Sequence, residues 1–194
     1  MTNPKDAQVN KLSMQYGLLI GIVSVVIFVV FRMIDPVMQF SNYWIAILSF
    51  VILIVLLVVL GLDIRKKTGG YWSFGEAYRS LIIMALFFTL VSTVYNFVLI
   101  KFVDPGLPAK ISAVMADKLT TQLSNMGIEQ SKIDEATKQF QNGEFEAKMQ
   151  PTLKNELTAF ALAMLIYAVI DLIIAASIKK KPPIVFPVND EPPV

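Results

Sequence analysis

Two residue types are absent from this sequence of 194 residues, which has no cysteine and no histidine. Without cysteine, the chain has no disulfide, no thiol nucleophile, no thiolate metal site and no lipid-modified amino-terminal cysteine. Without histidine, it lacks imidazole metal ligands and the usual proton shuttle at neutral pH. We therefore identify no catalytic, cofactor-binding or metal-binding residues in the sequence.

Charged residues are also scarce, at 16%, and the net charge of +2 gives no sign of the dense basic face that nucleic-acid binding requires. Apolar residues make up 55% of the chain. They are concentrated in four blocks, at residues 16–34, 43–62, 81–100 and 157–178. Each block is close to the ~20 residues that an α-helix needs to cross a bilayer. A soluble protein could bury one such block, but a chain of this length could not cover four. We predict an all-α bundle of four transmembrane helices.

Basic residues in the short flanks of the four blocks predict the orientation of the chain. They occur before the first block, between the second and third, and after the fourth. These residues are Lys5, Lys11, Arg65, Lys66, Lys67, Arg79, Lys179, Lys180 and Lys181. We predict that residues 1–15, 63–80 and 179–194 are cytoplasmic and that residues 101–156 are extracytoplasmic. The first block is long for a signal peptide and lacks a cleavage site, so we expect it to be retained.

The cytoplasmic connection at residues 63–80 combines basic and aromatic side chains. Gly69 and Gly70 indicate a turn, and the spacing of Ser73 and Glu76 is typical of a capping box that starts the third helix. Four aromatic residues are expected at the inner membrane interface: Tyr71, Trp72, Phe74 and Tyr78. The stretch either anchors the chain in the membrane or forms a docking surface for a cytoplasmic partner or anionic lipid.

The extracytoplasmic segment has the periodicity of an amphipathic helix. Its apolar stripe comprises Ile111, Val114, Met115, Leu119, Leu123 and Met126. Gly127 is a natural end for this helix, and a second, shorter helix is expected after it. The stripe must pack on the same chain, on the membrane surface, or on a partner such as a second copy or another membrane protein. The proline-rich tail from Pro182 to Val194 is expected to be disordered.

Asp171 is the one acidic residue well inside a predicted span. Placing an ionisable group there costs about 2.5 kcal/mol or more, so the residue is a functional candidate by default. Its helix face also carries Tyr167, Ala168 and Ala175. Asp171 either pins the helix packing, reaches cytoplasmic water, or forms a proton or cation site.

The first span carries Gly17 and Gly21 four residues apart, with Ser24 on the same stripe. Small residues at this spacing let helix backbones approach closely. We predict that the first and fourth spans contact each other through these faces. Ser24 or Thr89 is then expected to form a hydrogen bond with Asp171.

The glycine pair followed by the sequence Ser73-Phe74-Gly75-Glu76-Ala77-Tyr78, together with the four spans, resembles a bacterial membrane family called domain of unknown function 4199. The resemblance covers about residues 16–178. It implies a bacterial cytoplasmic membrane and an all-helical fold, and it carries no established activity or site residues.

The leading interpretation of the sequence is a non-enzymatic scaffold or modulator of a membrane complex. The alternative is a small oligomeric transporter or channel that uses Asp171. A membrane enzyme ranks third, because no second carboxylate or nucleophile can be assigned beside Asp171 or Glu76.

Overall fold

The computed structural model describes residues 4–182, and this part of the chain is helical, with no strand. The helices are α1 (Pro4–Ile34), α2 (Met38–Ser41), α3 (Tyr43–Lys67), α4 (Phe74–Val98), α5 (Leu107–Asn125), α6 (Gln130–Gln141), α7 (Glu144–Met149) and α8 (Leu153–Ile178). A π-helical turn, Leu99–Val103, extends α4. Four of these helices are long and apolar enough to cross a membrane: α1, α3, α4 with its extension, and α8. The predicted all-α, four-span fold is confirmed.

Local sequence signals fix several of the helix ends. The capping box is present, because the Glu76 backbone N–H donates to Ser73 Oγ at 3.2 Å and the Ser73 N–H donates to Glu76 Oε2 at 2.8 Å. Gly69 and Gly70 both have positive φ, at 107° and 80°, as the predicted turn requires. Gly127 ends α5 with φ 72°. α1 begins at Pro4, well before the predicted span, so its first turns extend beyond the apolar block.

The centre of the bundle is α4, which packs along both α1 and α8. The glycine stripe of α1 contacts α4. A Cβ on Gly17 would lie 2.5 Å from the Met84 carbonyl oxygen, and one on Gly21 would lie 2.7 Å from Val91 Cβ. The prediction that this stripe contacts the fourth span is therefore wrong, because α4 occupies the position against it.

The bundle is tightly packed only in the half that contains the basic flanks. Every buried residue of α1 lies at or before Gly21, and those of α3 lie between Leu53 and Ile64. The buried residues of α8 begin at Asp171. We call the half of the bundle that contains the basic flanks the basic half, and the half that faces α5 to α7 the cap half. The spans are thus closely packed towards one side of the membrane and loosely packed towards the other.

Polar contacts close the end of the basic half. Ser13 Oγ and Ser80 Oγ are 2.6 Å apart and buried, and Arg65 donates to the carbonyl oxygen of Ile178 at 2.6 Å. Trp72 and Lys180 exchange two backbone hydrogen bonds of 2.8 Å.

Trp72 is fully buried at this end, whereas Tyr71 and Phe74 are exposed and Tyr78 is half-buried. The position of Trp72 at the membrane interface stays a prediction, but its side chain packs in the core beside its backbone pairing with Lys180 and is not exposed to lipid. Glu76, in addition to capping α4, forms an ion pair of 2.7 Å with Lys5. Trp72 is therefore not part of an exposed surface, whereas Glu76 is partly exposed and bonded to Lys5.

Helices α5 to α7 form a cap over the other end. The cap and the bundle share an apolar core of Leu99, Ile100, Leu107 and Ile111. The predicted stripe of α5 changes along its length, from a buried Ile111 at its start to a Met126 that is 67% exposed at its end. The stripe residues between them are half-buried, so the cap packs on its own chain along most of the stripe and leaves only its end exposed. The predicted disordered tail lies, after Pro182, outside the described residues.

Candidate functional site

Asp171 is completely buried, with 0% of its surface exposed, in the face of α8 that also buries Ile174 and Ala175. Neither carboxyl oxygen has a hydrogen-bond partner within residues 4–182. Buried polar groups are almost always paired, so an unpaired carboxyl marks a position that needs an explanation. Of the other residues predicted on this face, Tyr167 and Ala168 are half-buried.

The predicted partners of Asp171 do not reach it. Thr89 is buried, but its hydroxyl oxygen also has no hydrogen-bond partner among the described residues. Ser24 is half-buried and lines a cavity instead. The prediction that Ser24 or Thr89 forms a hydrogen bond with Asp171 is therefore wrong. For Ser24 it assumed a contact between the first and fourth spans, whereas the glycine stripe that includes Ser24 packs on α4. Thr89 lies on α4, which packs on α8, but its hydroxyl forms no hydrogen bond with Asp171.

One turn of α8 from Asp171, towards the cap, Tyr167 lies beside an intramembrane cavity of about 260 Å³. We call it the inner cavity. Its lining residues are Ser24, Ile27, Phe28, Gln39, Ala46, Ser49, Phe50, Ile52, Leu53, Phe88 and Tyr167. The rings of Phe88 and Tyr167 meet edge to face, with centroids 5.4 Å apart, where α4 meets α8. The inner cavity therefore extends from the wall between α1 and α3 to within one helical turn of Asp171.

A second cavity, of about 450 Å³, lies between the end of the bundle and the cap, and we call it the outer cavity. Its apolar lining includes Phe40, Leu99, Ile100, Leu107 and Ile111. Its polar lining is Arg32, Gln39, Asn96, Lys148, Gln150, Asn155 and Glu156. Phe28 and Gln39 line both cavities. The two spaces are therefore neighbours that share one wall, polar at the cap end and mostly apolar inside the membrane.

Arg32, in the wall of the outer cavity, is held in place by Asp104. Its guanidinium donates to Asp104 Oδ2 at 2.6 Å, and Lys110 donates to the same oxygen at 2.9 Å. The hydrogen bond from Lys110, followed by that from Arg32, holds the pKa of the Asp104 carboxyl below its ordinary value. This carboxylate therefore stays charged at neutral pH and joins α1 to the root of the cap.

Sequence reasoning singled out a few of the cavity residues, namely Ser24, Tyr167 and Ile111, without predicting a cavity. Arg32, Gln39 and Lys148 carried no motif. Their importance depends on how far α3 stands from α1, which no periodicity in the sequence encodes. Within the described residues, no three acidic side chains cluster in a way that would hold a metal ion.

A protein-family model described as "Protein of unknown function (DUF4199)" matches residues 15–180. That range includes all four spans, the capping box and every residue of the two cavities. No match was found among curated proteins or among solved structures.

Proposed function

The chain belongs to the family described as Protein of unknown function (DUF4199), and we propose that it is a non-enzymatic membrane protein that scaffolds or modulates a membrane complex. The observation that carries this proposal is an apolar tip on the cap. Met126 is 67% exposed and Ile128 is 36% exposed at the turn between α5 and α6. Exposed apolar groups of this kind on an otherwise polar hairpin are typical of contact surfaces.

The tip stands on a firmly packed hairpin. Ile133 and Thr137 of α6 are buried, and Ser112 Oγ of α5 donates to the carbonyl oxygen of Phe140 at 3.2 Å. The ion pairs of Asp104 and the apolar core around Ile111 fasten the root of α5 to the bundle. A surface that is already ordered loses little entropy on binding, which favours its use as a docking element.

The orientation is part of the same proposal. The basic flanks support placing both termini and the connection between α3 and α4 in the cytoplasm of a bacterial cell, with the cap outside. Reporter fusions at Lys66 and Asn125 test this placement. We expect activity of a cytoplasmic reporter at Lys66 only and of an extracytoplasmic reporter at Asn125 only. The same reporter active at both positions would refute the topology.

Site-specific photo-crosslinking in intact cells tests the docking role. A photoreactive residue at Asn125, beside the tip, should give a discrete adduct with another membrane protein or with a second copy of this chain. Met126→Asp combined with Ile128→Asp should weaken that adduct about tenfold, because both apolar contacts are lost. A photoreactive residue at the exposed Lys138 serves as the control. No adduct at Asn125, or an equal adduct in the aspartate variant, would contradict the proposal.

A second candidate is a small oligomeric transporter, favoured by the carboxyl of Asp171, which has no partner among the described residues and lies one helical turn from a lining residue of the inner cavity, Tyr167. The closed basic half and the open cap half resemble one end state of an alternating-access cycle. In reconstituted vesicles, transport of protons or cations should be abolished by Asp171→Asn, which keeps the shape and removes the charge. Absence of flux in the wild type, or equal flux in the variant, would exclude this candidate.

A further inference from the structure

We propose that the outer and inner cavities together hold one phospholipid, with its phosphate at Arg32 and Lys148 and one acyl chain in the inner cavity. The proposal goes beyond a scaffold role and does not depend on it, because a lipid can occupy this space with or without a protein partner. It rests on the change of polarity from the outer to the inner cavity, which adjoin at Phe28 and Gln39, on the charges of the outer cavity, and on polar groups that have no partner among the described residues.

The polarity of the lining matches an amphiphile and no purely polar ligand. The inner cavity is walled mainly by hydrocarbon and aromatic side chains, including Ile27, Phe50, Leu53 and Phe88. Water is unfavourable in such a space, whereas an acyl chain buries apolar surface there. The outer cavity places polar and charged side chains just beyond it. A molecule that fills both spaces must therefore have a polar end at the cap and a hydrocarbon end in the bundle.

The charges favour an anionic head group. Arg32 and Lys148 contribute two positive charges to the outer cavity, and Glu156 contributes one negative charge. Beside Arg32, the opposite charges of Asp104 and Lys110 offset each other, so the excess of one positive charge remains. Among the described residues the Arg32 guanidinium is bonded only to Asp104, which leaves further N–H groups for a second acceptor. Lys148 forms no ion pair within residues 4–182. A guanidinium that is already fixed in place and a nearby ammonium suit a phosphate.

Polar groups without a hydrogen-bond partner also occur between the site proposed for the phosphate and the site proposed for the acyl chain. The side chain of Gln39, in the wall that both cavities share, makes no hydrogen bond to any described residue. The hydroxyl of Ser49, farther inside, is buried and also lacks a partner in the part of the chain that the structure describes. The Gln39 amide and the Ser49 hydroxyl can donate to the ester carbonyl oxygens of a phospholipid. These carbonyl oxygens lie between the phosphate and the acyl chains, which is the order in which the protein groups occur.

The most informative substitution reduces the volume of the inner cavity and leaves the charged residues of the outer cavity unchanged. Ala46 lines the inner cavity, whereas Ala161 of α8 lines neither cavity, and both residues are exposed. Ala46→Phe should therefore displace part of the acyl chain, and Ala161→Phe is the matched control. Each methylene removed from an apolar site lowers affinity about fourfold, so loss of two or three should lower retention at least about tenfold. Lys148→Gln tests the head group, since Lys148 makes no ion pair whose loss would loosen the cap.

The measurement is native mass spectrometry of the full chain exchanged into detergent with added phosphatidylglycerol, phosphatidylcholine, oleate or glycerol 1-phosphate. We expect one retained phosphatidylglycerol in the wild type and in Ala161→Phe, and about tenfold less in Ala46→Phe. Lys148→Gln should reduce the preference for phosphatidylglycerol over phosphatidylcholine.

Three outcomes would overturn the proposal. Equal retention in the two phenylalanine variants would mean that only surface lipid was observed. Displacement of phosphatidylglycerol by glycerol 1-phosphate alone would identify a water-soluble ligand of the outer cavity. Preferential retention of oleate would assign the site to a fatty acid. A labelled acyl chain that crosslinks to Phe88 or Leu53 would support the proposal independently of the variants.

Discussion

Gly17→Ala tests whether α1 is packed against α4 as closely as the structure requires. A Cβ on Gly17 would lie 2.5 Å from the Met84 carbonyl oxygen and 2.9 Å from Phe87 Cβ, whereas ordinary contacts begin at 3.4 Å. The nearest atom belongs to the helix backbone, so no side-chain rotation can make room. The substitution must instead move the two helices apart by about 1 Å, which weakens their contact over several turns.

The expected size of the effect comes from two opposing contributions. Forcing an extra carbon into a well-packed contact costs roughly 1–3 kcal/mol. Alanine in place of glycine within a helix returns up to about 1 kcal/mol. We therefore expect Gly17→Ala to lower the free energy of unfolding by about 1–2 kcal/mol. Gly75→Ala is the control, because a Cβ at Gly75 meets nothing within 4 Å.

The assay is unfolding of the purified chain in mixed detergent micelles, followed by loss of helical signal. Gly75→Ala should leave the midpoint unchanged or raise it slightly, and Gly17→Ala should lower it. A second comparison separates backbone from side-chain crowding. Val91→Ala should partly rescue Gly21→Ala, because two of the three nearest atoms to a Cβ there are Val91 methyl groups. Equal stability of Gly17→Ala and the wild type would refute the packing of α1 on α4.

The same unfolding assay checks two further predictions. Ser13→Ala should lower the free energy of unfolding by about 1–3 kcal/mol, because it leaves the buried Ser80 hydroxyl unpaired. Ser80→Ala should lower it less, because the Ser13 hydroxyl still donates to the Val9 carbonyl oxygen. Equal effects of the two variants would contradict this prediction. Folding lowers the pKa of Asp104 from its ordinary 3.8, so its ion pairs stabilise the chain fully above that value and lose this contribution as pH falls through the lowered pKa. Asp104→Asn should therefore lower the melting temperature at neutral pH and leave it unchanged in strong acid. An equally lowered melting temperature in strong acid would show that the charge of Asp104 does not contribute to stability.

Several features of the fold could be predicted because they depend on local sequence. Hydrocarbon blocks of membrane length specify helices whatever surrounds them, since the backbone has no other hydrogen-bond partners in lipid. The capping box at Ser73 and Glu76 and the turn at Gly127 involve atoms only a few residues apart. Such features are determined by the residues that form them, and the structure contains all of them.

Features that depend on which helices meet could not be predicted. The stripe of Gly17 and Gly21 indicates that a neighbour comes close and says nothing about which neighbour it is. Trp72 is of a residue type that is common at membrane interfaces. Its backbone pairs with that of Lys180, more than a hundred residues away in the sequence, and its side chain packs in the core. The functional candidate Asp171 could be found from its charge and its position within the span. Its lack of a hydrogen-bond partner among the described residues depends on how α1, α4 and α8 pack, which the sequence does not encode.

The loose cap half has a physical origin in the sequence of α1. Ser13, Gly17 and Gly21 allow close approach to α4, whereas Ser24 and Phe28, which continue the stripe, line the inner cavity. A gap of this size inside a bilayer does not stay empty, because its lining atoms would forfeit their contacts and water finds few partners there. Hydrocarbon from a lipid or from a partner helix must fill it. Shortening Phe28, which lines both cavities, should therefore enlarge the space for hydrocarbon at the place where the inner cavity adjoins the outer cavity.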